Sequence, residues 1–265
     1  MTDLSPSLGG RSALEVATEV VKQAGEVLLA HFYGEKEMRN KGQGELVTEA
    51  DILSQRVIVK LLADEYPDYN FLAEESMSSD KVTGYTWLVD PLAGTNNYVF
   101  GIPFFGINIA LVRDNDILMS ITYDPLRDEL FRAEKGKGAY LNNSPIHVSE
   151  RVSLQDSLLG FDPGYDRTSG GELLKAVTGL WPEVFGLRVM GSASMALAYV
   201  ASGRIDLYVR YGVQPWDIAS GLLLVREAGG RVSDWQGEPA NFWHTEIVAA
   251  NGTLQREFLG HWKPA

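Results

Sequence analysis

The sequence has no cysteine. Disulfides, thiolate metal sites and cysteine nucleophiles are therefore excluded. Histidine is scarce as well. His31, His147, His244 and His261 are scattered without the spacing of a zinc site, and each reads as a surface or partly buried side chain. No stretch reaches the roughly 18 apolar residues of a membrane span, and the start, MTDLSPSLGG, lacks the basic opening and continuous apolar core of a secretion signal. Basic residues are outnumbered, 23 Lys plus Arg against 35 Asp plus Glu, and they do not cluster. The resulting net charge of -12 repels nucleic acid and anionic membranes, so neither is an expected partner and a cytoplasmic protein is the default expectation. An acidic chain that handles an anionic substrate needs a cation in its site, and carboxylates holding Mg²⁺ provide one.

What is present is an ordinary globular composition, 265 residues with 45% hydrophobic and 22% charged. Residues 12 to 32 place Leu14, Ala17, Val21, Ala24 and Leu28 at helical spacing behind Ser12, a plausible N-cap. A glycine-punctuated turn, a short ELVT strand and a helix from about Ala50 to Tyr66 follow, closed by Pro67. From Tyr85 to Leu141 the runs TWLVD, FFGINIALV, ILMSITYD and ELFRAEKGKGAYL predict an antiparallel meander. Beyond residue 150 strand and helix alternate, ending in RVSDW and EIVAAN. The pattern divides into two sheet-plus-helix halves, about 1–150 and 151–265, with a cleft between them as the place for a small-molecule site.

Four places set carboxylates beside strand ends or turns: Asp51 after ELVTEA, Glu74 and Glu75 in FLAEES, Asp90 in WLVDPL, and Asp217 in PWDIASG. Each follows or interrupts an apolar run, and carboxylates fixed near buried structure need a cation or hydrogen bonds. Taken singly, Asp51 and Asp217 read as N-caps of apolar helices, Glu74 and Glu75 as surface acids, and Asp90 as a turn residue before proline. Taken together they point to a shared site. Gly94 and Thr95 in GTNNY allow close approach of an anion to backbone amides, or a simple helix cap. Gly191, Ser192 and Ala193 in MGSAS leave room for a polyol or sugar ring, or simply pack a tight turn.

These segments resemble the inositol monophosphatase family, within the Mg²⁺-dependent, lithium-sensitive phosphomonoesterases. WLVDPLAGTNNY matches the family's first signature, W-(hydrophobic)₂-D-P-(I/L)-D-G-T-x-N-(F/Y), at every position but one, and WDIASGLLLVREAGG matches its second in full. LAEES, ELVTEAD and GKGAYLNN resemble further elements of the family in the right order, over nearly the whole chain. The resemblance implies an α/β, layered αβαβα sandwich of the inositol monophosphatase and fructose-1,6-bisphosphatase type, a likeness that extends to a homodimer. It implies hydrolysis of a phosphate monoester by water activated by two or three Mg²⁺ ions. Glu74, Asp90 and the Leu92 carbonyl would hold the first metal, and Asp90 with Asp217 the second. Asp51, Glu74 and Thr95 would orient and deprotonate the water. Gly94 and Thr95 would cradle the phosphate, and Gly191, Ser192 and Ala193 would line the substrate side.

The chain departs from the pattern at two positions. Ala93 stands where the family has an aspartate ligand of the second metal, and a methyl group cannot coordinate Mg²⁺. Weakened second-metal binding and strongly reduced turnover are expected, and a non-catalytic metabolite- or protein-binding member is the alternative. A naturally abandoned site would be expected to lose more than one ligand, which favours an engineered substitution over divergence. The second departure is Arg210, seven residues before Asp217, where inositol-selective members commonly carry a glutamate. An arginine there suits a second anionic group, as in fructose 1,6-bisphosphate, or is simply a solvent-facing strand residue.

Overall fold

A computed structural model describes residues 6–34, 36–42, 44–76 and 82–261, so the first five residues of the N-terminal stretch lie outside it. Helix α1 (Ala13–Phe32) begins at Ser12, whose hydroxyl accepts from the Glu15 amide while the Glu15 carboxylate accepts from the Ser12 amide. That reciprocal capping satisfies two amides that would otherwise lack partners. Strands β1 (Met38–Gly42) and β2 (Glu45–Thr48) form a hairpin leading into α2 (Glu49–Glu65). The N-cap of α2 is Thr48, and Asp51 sits three residues on, in the acidic position of the capping box.

Next come β3 (Asn70–Ala73), β4 (Tyr85–Ala93), the single turn α3 (Thr95–Val99), β5 (Gly106–Arg113), β6 (Asp116–Asp124), β7 (Glu129–Glu134), β8 (Ala139–Leu141) and β9 (Ser144–Pro145). The strands make one seven-stranded sheet in sequence order. It is the predicted meander, antiparallel throughout except where β3 runs parallel to β4. The run 129–141, read as one strand, is two, because Gly136 and Gly138 take φ of 76° and 81° and turn the chain between them.

The remainder is β10 (Leu158–Asp162), α4 (Arg167–Gly179), β11 (Gly186–Val189), α5 (Ala193–Ala201), β12 (Leu207–Tyr211), α6 (Pro215–Glu227), β13 (Arg231–Ser233), β14 (Glu246–Ala250) and α7 (Gly252–His261). Its five-stranded sheet has the order β11-β10-β12-β14-β13. Helix α6 ends as its sequence predicts, with Gly229 in the left-handed conformation just past the last turn. Helix α7 was not anticipated: only Leu254 and Phe258 of its apolar residues are fully buried, too thin a stripe to stand out in the sequence.

Strand alternation sorts the core into layers. On β4, Trp87 and Val89 pack with α1 and α2 through Ala17, Leu28 and Ile58, while Leu88 points the other way into the layer of α5 and α6. That middle layer also buries Tyr208 and Ile247 of the second sheet. On the far side, Leu173, Val177, Leu254 and Phe258 of α4 and α7 cover Leu207, Val209 and Val248. The sandwich is αβαβα, with α5 and α6 as the shared central layer.

Gly221 of α6 packs tightly against α5, and a Cβ there would overlap the Leu197 side chain. We expect Gly221→Ala to cost about 1–3 kcal/mol, the usual penalty for overpacking a dense core. Urea unfolding should show the midpoint falling with the slope unchanged; an unaltered midpoint would contradict this account of the central layer.

Candidate active site

The four acidic segments converge because three strand or helix ends meet at one edge of the central layer. Glu74 begins the 3-10 turn after β3 (74–76), Asp90 lies where β4 is bulged, and Asp217 sits in the first turn of α6. The bulge between Asp90 and Ala93 lets the chain turn, and the Leu92 amide donates to Asp90 Oδ1 at 3.1 Å. Asp217, like Asp51, takes the third helical position, where its Oδ2 accepts from the N-cap Gln214 amide at 2.8 Å. The N-cap role suggested by the sequence therefore belongs to Thr48 and Gln214, and the two aspartates are their capping-box partners.

One partly open cavity of about 110 Å³ gathers these groups. Glu74, Asp90, Asp217, Leu92 and Ala93 line one side of it, with Gly94 and Thr95 at the start of α3. Gly191, Ser192, Ala193 and Arg210 line the other side. Of the acids singled out in the sequence, Glu75 and Asp51 do not line it. Asp51 is completely buried behind Thr95, whose hydroxyl lies 3.0 Å from Asp51 Oδ1 and 2.9 Å from the Leu92 carbonyl oxygen. Asp51 Oδ2 accepts from the Thr48 amide and hydroxyl at 2.8 and 2.5 Å.

The two sides are in contact. Gly94 has φ of 91° and a Cβ there would stand 3.0 Å from Ser192 Cβ. Gly191 has φ of 77°, and a Cβ there would strike the Asn97 side chain at 2.7 Å. Both glycines are needed for conformation and for clearance.

Electrostatics set the state of the acids. Burial pushes the Asp51 carboxyl up to about 6 against the pull of its Thr48 and Thr95 hydrogen bonds. Burial also pushes Glu74 up to about 7, opposed by Lys41 and assisted by Asp217 and Glu75. Asp90 is held well above the ordinary carboxylate range by burial and by repulsion from Glu74 and Asp217. Asp217 is raised by burial, with Arg210 acting against it. Such acids favour any arrangement that supplies positive charge.

Lys41 supplies some. From the β1–β2 hairpin its Nζ reaches Glu74 Oε1 at 3.0 Å and Glu75 Oε1 at 2.6 Å. Sequence reasoning missed this lysine, which lies 33 residues from Glu74 with no motif to link them. It also missed Tyr165, which lines the cavity, and Asp162, which accepts from the Met190 and Gly191 amides beside it. Asp162 carried a usable signal, since it ends the apolar run SLLGFD much as Asp90 ends WLVD.

Among the described residues, no three His, Cys, Asp or Glu side chains already converge in a way that holds an ion. Glu74 is turned toward Lys41, and the place of a further carboxylate is the buried Ala93 methyl. The donors nonetheless fit a hard cation such as Mg²⁺ in kind. Glu74, Asp90, Asp217 and the Leu92 carbonyl offer oxygen alone, and the carboxylates are short of compensating charge.

Comparison with known proteins identifies the family. A model of the inositol monophosphatase family matches residues 11–263. An inositol-1-monophosphatase of Mesorhizobium japonicum is 39% identical over 257 residues, covering 94% of this chain and 96% of the relative. A fructose-1,6-bisphosphatase/inositol-1-monophosphatase of Thermotoga maritima is 34% identical, covering 93% and 94%. The crystal structure of extragenic suppressor protein suhB from Bartonella henselae superposes with a TM-score of 0.88 at 34% identity, covering 94% and 97%.

The raised acids give a pH signature. Asp51 and Glu74 hold protons more tightly folded than unfolded, so stability falls as pH rises from about 4 to about 7. We expect the metal-free melting temperature to be lower at pH 7.5 than at pH 5, and Asp51→Asn to flatten part of that fall. A melting temperature that climbs across the window, unaffected by Asp51→Asn, would refute the assignment.

Proposed function

The chain belongs to the inositol monophosphatase family, and on that premise we propose that it hydrolyses a phosphate monoester of inositol or a sugar, using Mg²⁺ and water. The observation that carries this reading is the cavity in which Glu74, Asp90, Asp217 and the Leu92 carbonyl face Gly94 and Thr95. Glu74, Asp90 and the Leu92 carbonyl are the residues that would hold one Mg²⁺, and Asp90 with Asp217 another. When bound, Mg²⁺ offsets the charge of the phosphoryl oxygens and acidifies water.

The rest is done by the protein's own side chains. Thr95 can accept a hydrogen bond from the attacking water while its own proton points to Asp51 or to the Leu92 carbonyl. Asp51, with a pKa near 6, is a competent proton acceptor at neutral pH, and Thr95 connects it to the cavity. Gly94 and Thr95 leave the backbone open to the phosphate, and the α5 side receives the alcohol portion. Arg210, at 9% exposure, is the cation that lines the cavity on that side, which favours substrates with a second anionic group.

Ala93 limits this activity. It sits in the metal-binding half of the cavity and offers no oxygen, so the second cation would rest on Asp90, Asp217, water and substrate. The same observation favours a second reading, a non-catalytic member that binds a metabolite or a protein partner. The two separate on reversion. Ala93→Asp should raise Mg²⁺-dependent phosphate release at least about 10- to 100-fold, the range already seen when only the supporting shell of a metal site is altered. Release is to be measured for both chains on inositol 1-phosphate, fructose 1,6-bisphosphate and a nucleotide 3'-phosphate. No release from any of them by the reverted chain would sink the phosphatase reading and leave the binding one.

A further inference from the structure

The cavity wall opposite the metal-side acids has polar groups with nothing to bond. Ser192 Oγ, Ser194 Oγ and Arg210 Nε are buried without a hydrogen-bond partner, and all three residues line the cavity. A buried unpaired donor is costly, and a native site that keeps several on one wall is arranged for something that completes them. Among the described lining residues Arg210 is the one Lys or Arg, facing Glu45, Glu74, Asp90 and Asp217.

Asp162 holds this wall in place. Strands β10 and β12 run parallel with Asp162 opposite Arg210, and Asp162 Oδ2 lies 3.9 Å from Arg210 Nη1 while accepting from the Tyr208 hydroxyl at 2.6 Å. Its other oxygen accepts from the amides of Met190 and Gly191 at 3.0 and 2.5 Å. One carboxylate, 3% exposed, therefore fixes the turn that delivers Ser192 and faces the guanidinium as its ion-pair partner. Asn97 clamps the same turn from the α3 side, its Nδ2 donating to the Met190 carbonyl at 3.0 Å. The Asp162 contact is made at the Nη end of the guanidinium, and Nε is buried without a hydrogen-bond partner.

We propose that Asp162 is a positioning residue for a second anion subsite, formed by Arg210 with the Ser192 and Ser194 hydroxyls, that receives an anionic group remote from the ester being cleaved. This rests on the phosphatase reading and adds to it the residue that sets substrate choice. Asp162 touches no substrate. It acts by aiming Arg210 and by fixing the 190–192 turn.

The test is equilibrium binding by calorimetry with saturating Mg²⁺, comparing fructose 1,6-bisphosphate with fructose 1-phosphate, which differ by the remote phosphate alone. The unsubstituted chain should prefer the bisphosphate by about tenfold or more, the scale of one charge-assisted contact. Asp162→Asn should cut that preference severalfold while the affinity for fructose 1-phosphate changes less than about twofold. A purely structural role would weaken both ligands in parallel. Arg210→Lys keeps a positive charge beside Asp162 and so guards against a misfolded first variant; it loses the planar fork and should also lose the preference.

No preference in the unsubstituted chain, or a preference retained in both variants, would overturn the subsite and leave the phosphatase reading standing. Binding of neither sugar phosphate would overturn both.

Discussion

Glu45, Glu74, Asp90 and Asp217 line one small cavity in which Arg210 is the single cation among the described lining residues, and the cost of keeping that negative charge from water governs the site. The protein meets the constraint piecemeal. Lys41 pairs with Glu74 and Glu75, Arg210 opposes Asp217, and backbone amides of Leu92 and Gln214 donate to Asp90 and Asp217. None of these cancels the charge, which is why the acids stay raised and why the cavity is poised to take a cation. Ala93 fits the same logic from the other direction. A fifth carboxylate there would add repulsion in the metal-free state and a ligand in the metal-bound state, so its absence trades affinity for Mg²⁺ against strain without it.

The fold supplies the rigidity that such a cavity requires. Asp90 sits at the bulge of β4 in the seven-stranded sheet, Asp217 opens a helix buried between the two sheets, and Glu74 leaves the parallel strand beside β4. Asp90 and Asp217 are thus fixed by elements whose other residues are mostly core. The opposite wall is built the same way, from the ends of β10 and β12 and the start of α5. Gly94 and Gly191 permit the walls to touch, and the hydrogen bonds of Asn97 across the junction hold them. Substrate would lie between a wall made for cations and a wall made for anions.

Much of this was legible in the sequence because the chemistry sits in contiguous strings. WLVDPLAGTNNY carries Asp90, the bulge, the glycine and Thr95 in one run, and the β-rich run TWLVD reads as a strand. The helix starts were half legible. TEAD and QPWD each place an acid three residues after a residue able to cap, but the apolar run that follows drew the cap assignment onto the acid itself. What sequence could not show were pairings set by register and packing: Lys41 of the β1–β2 hairpin with Glu74 after β3, and Asp162 with Arg210, 48 residues apart and brought level by two parallel strands. Neither pair has a local pattern, since each depends on how elements pack after they form.

The account stands or falls on whether those acids release protons to a cation. Titration of Mg²⁺ into the chain at pH 6.5, repeated in buffers of different ionisation enthalpy, measures binding and the accompanying proton release together. Binding with net release of protons is the predicted result, because carboxylates raised by burial and mutual repulsion must ionise to serve as ligands. Binding without proton release, or no binding at millimolar Mg²⁺, would contradict it.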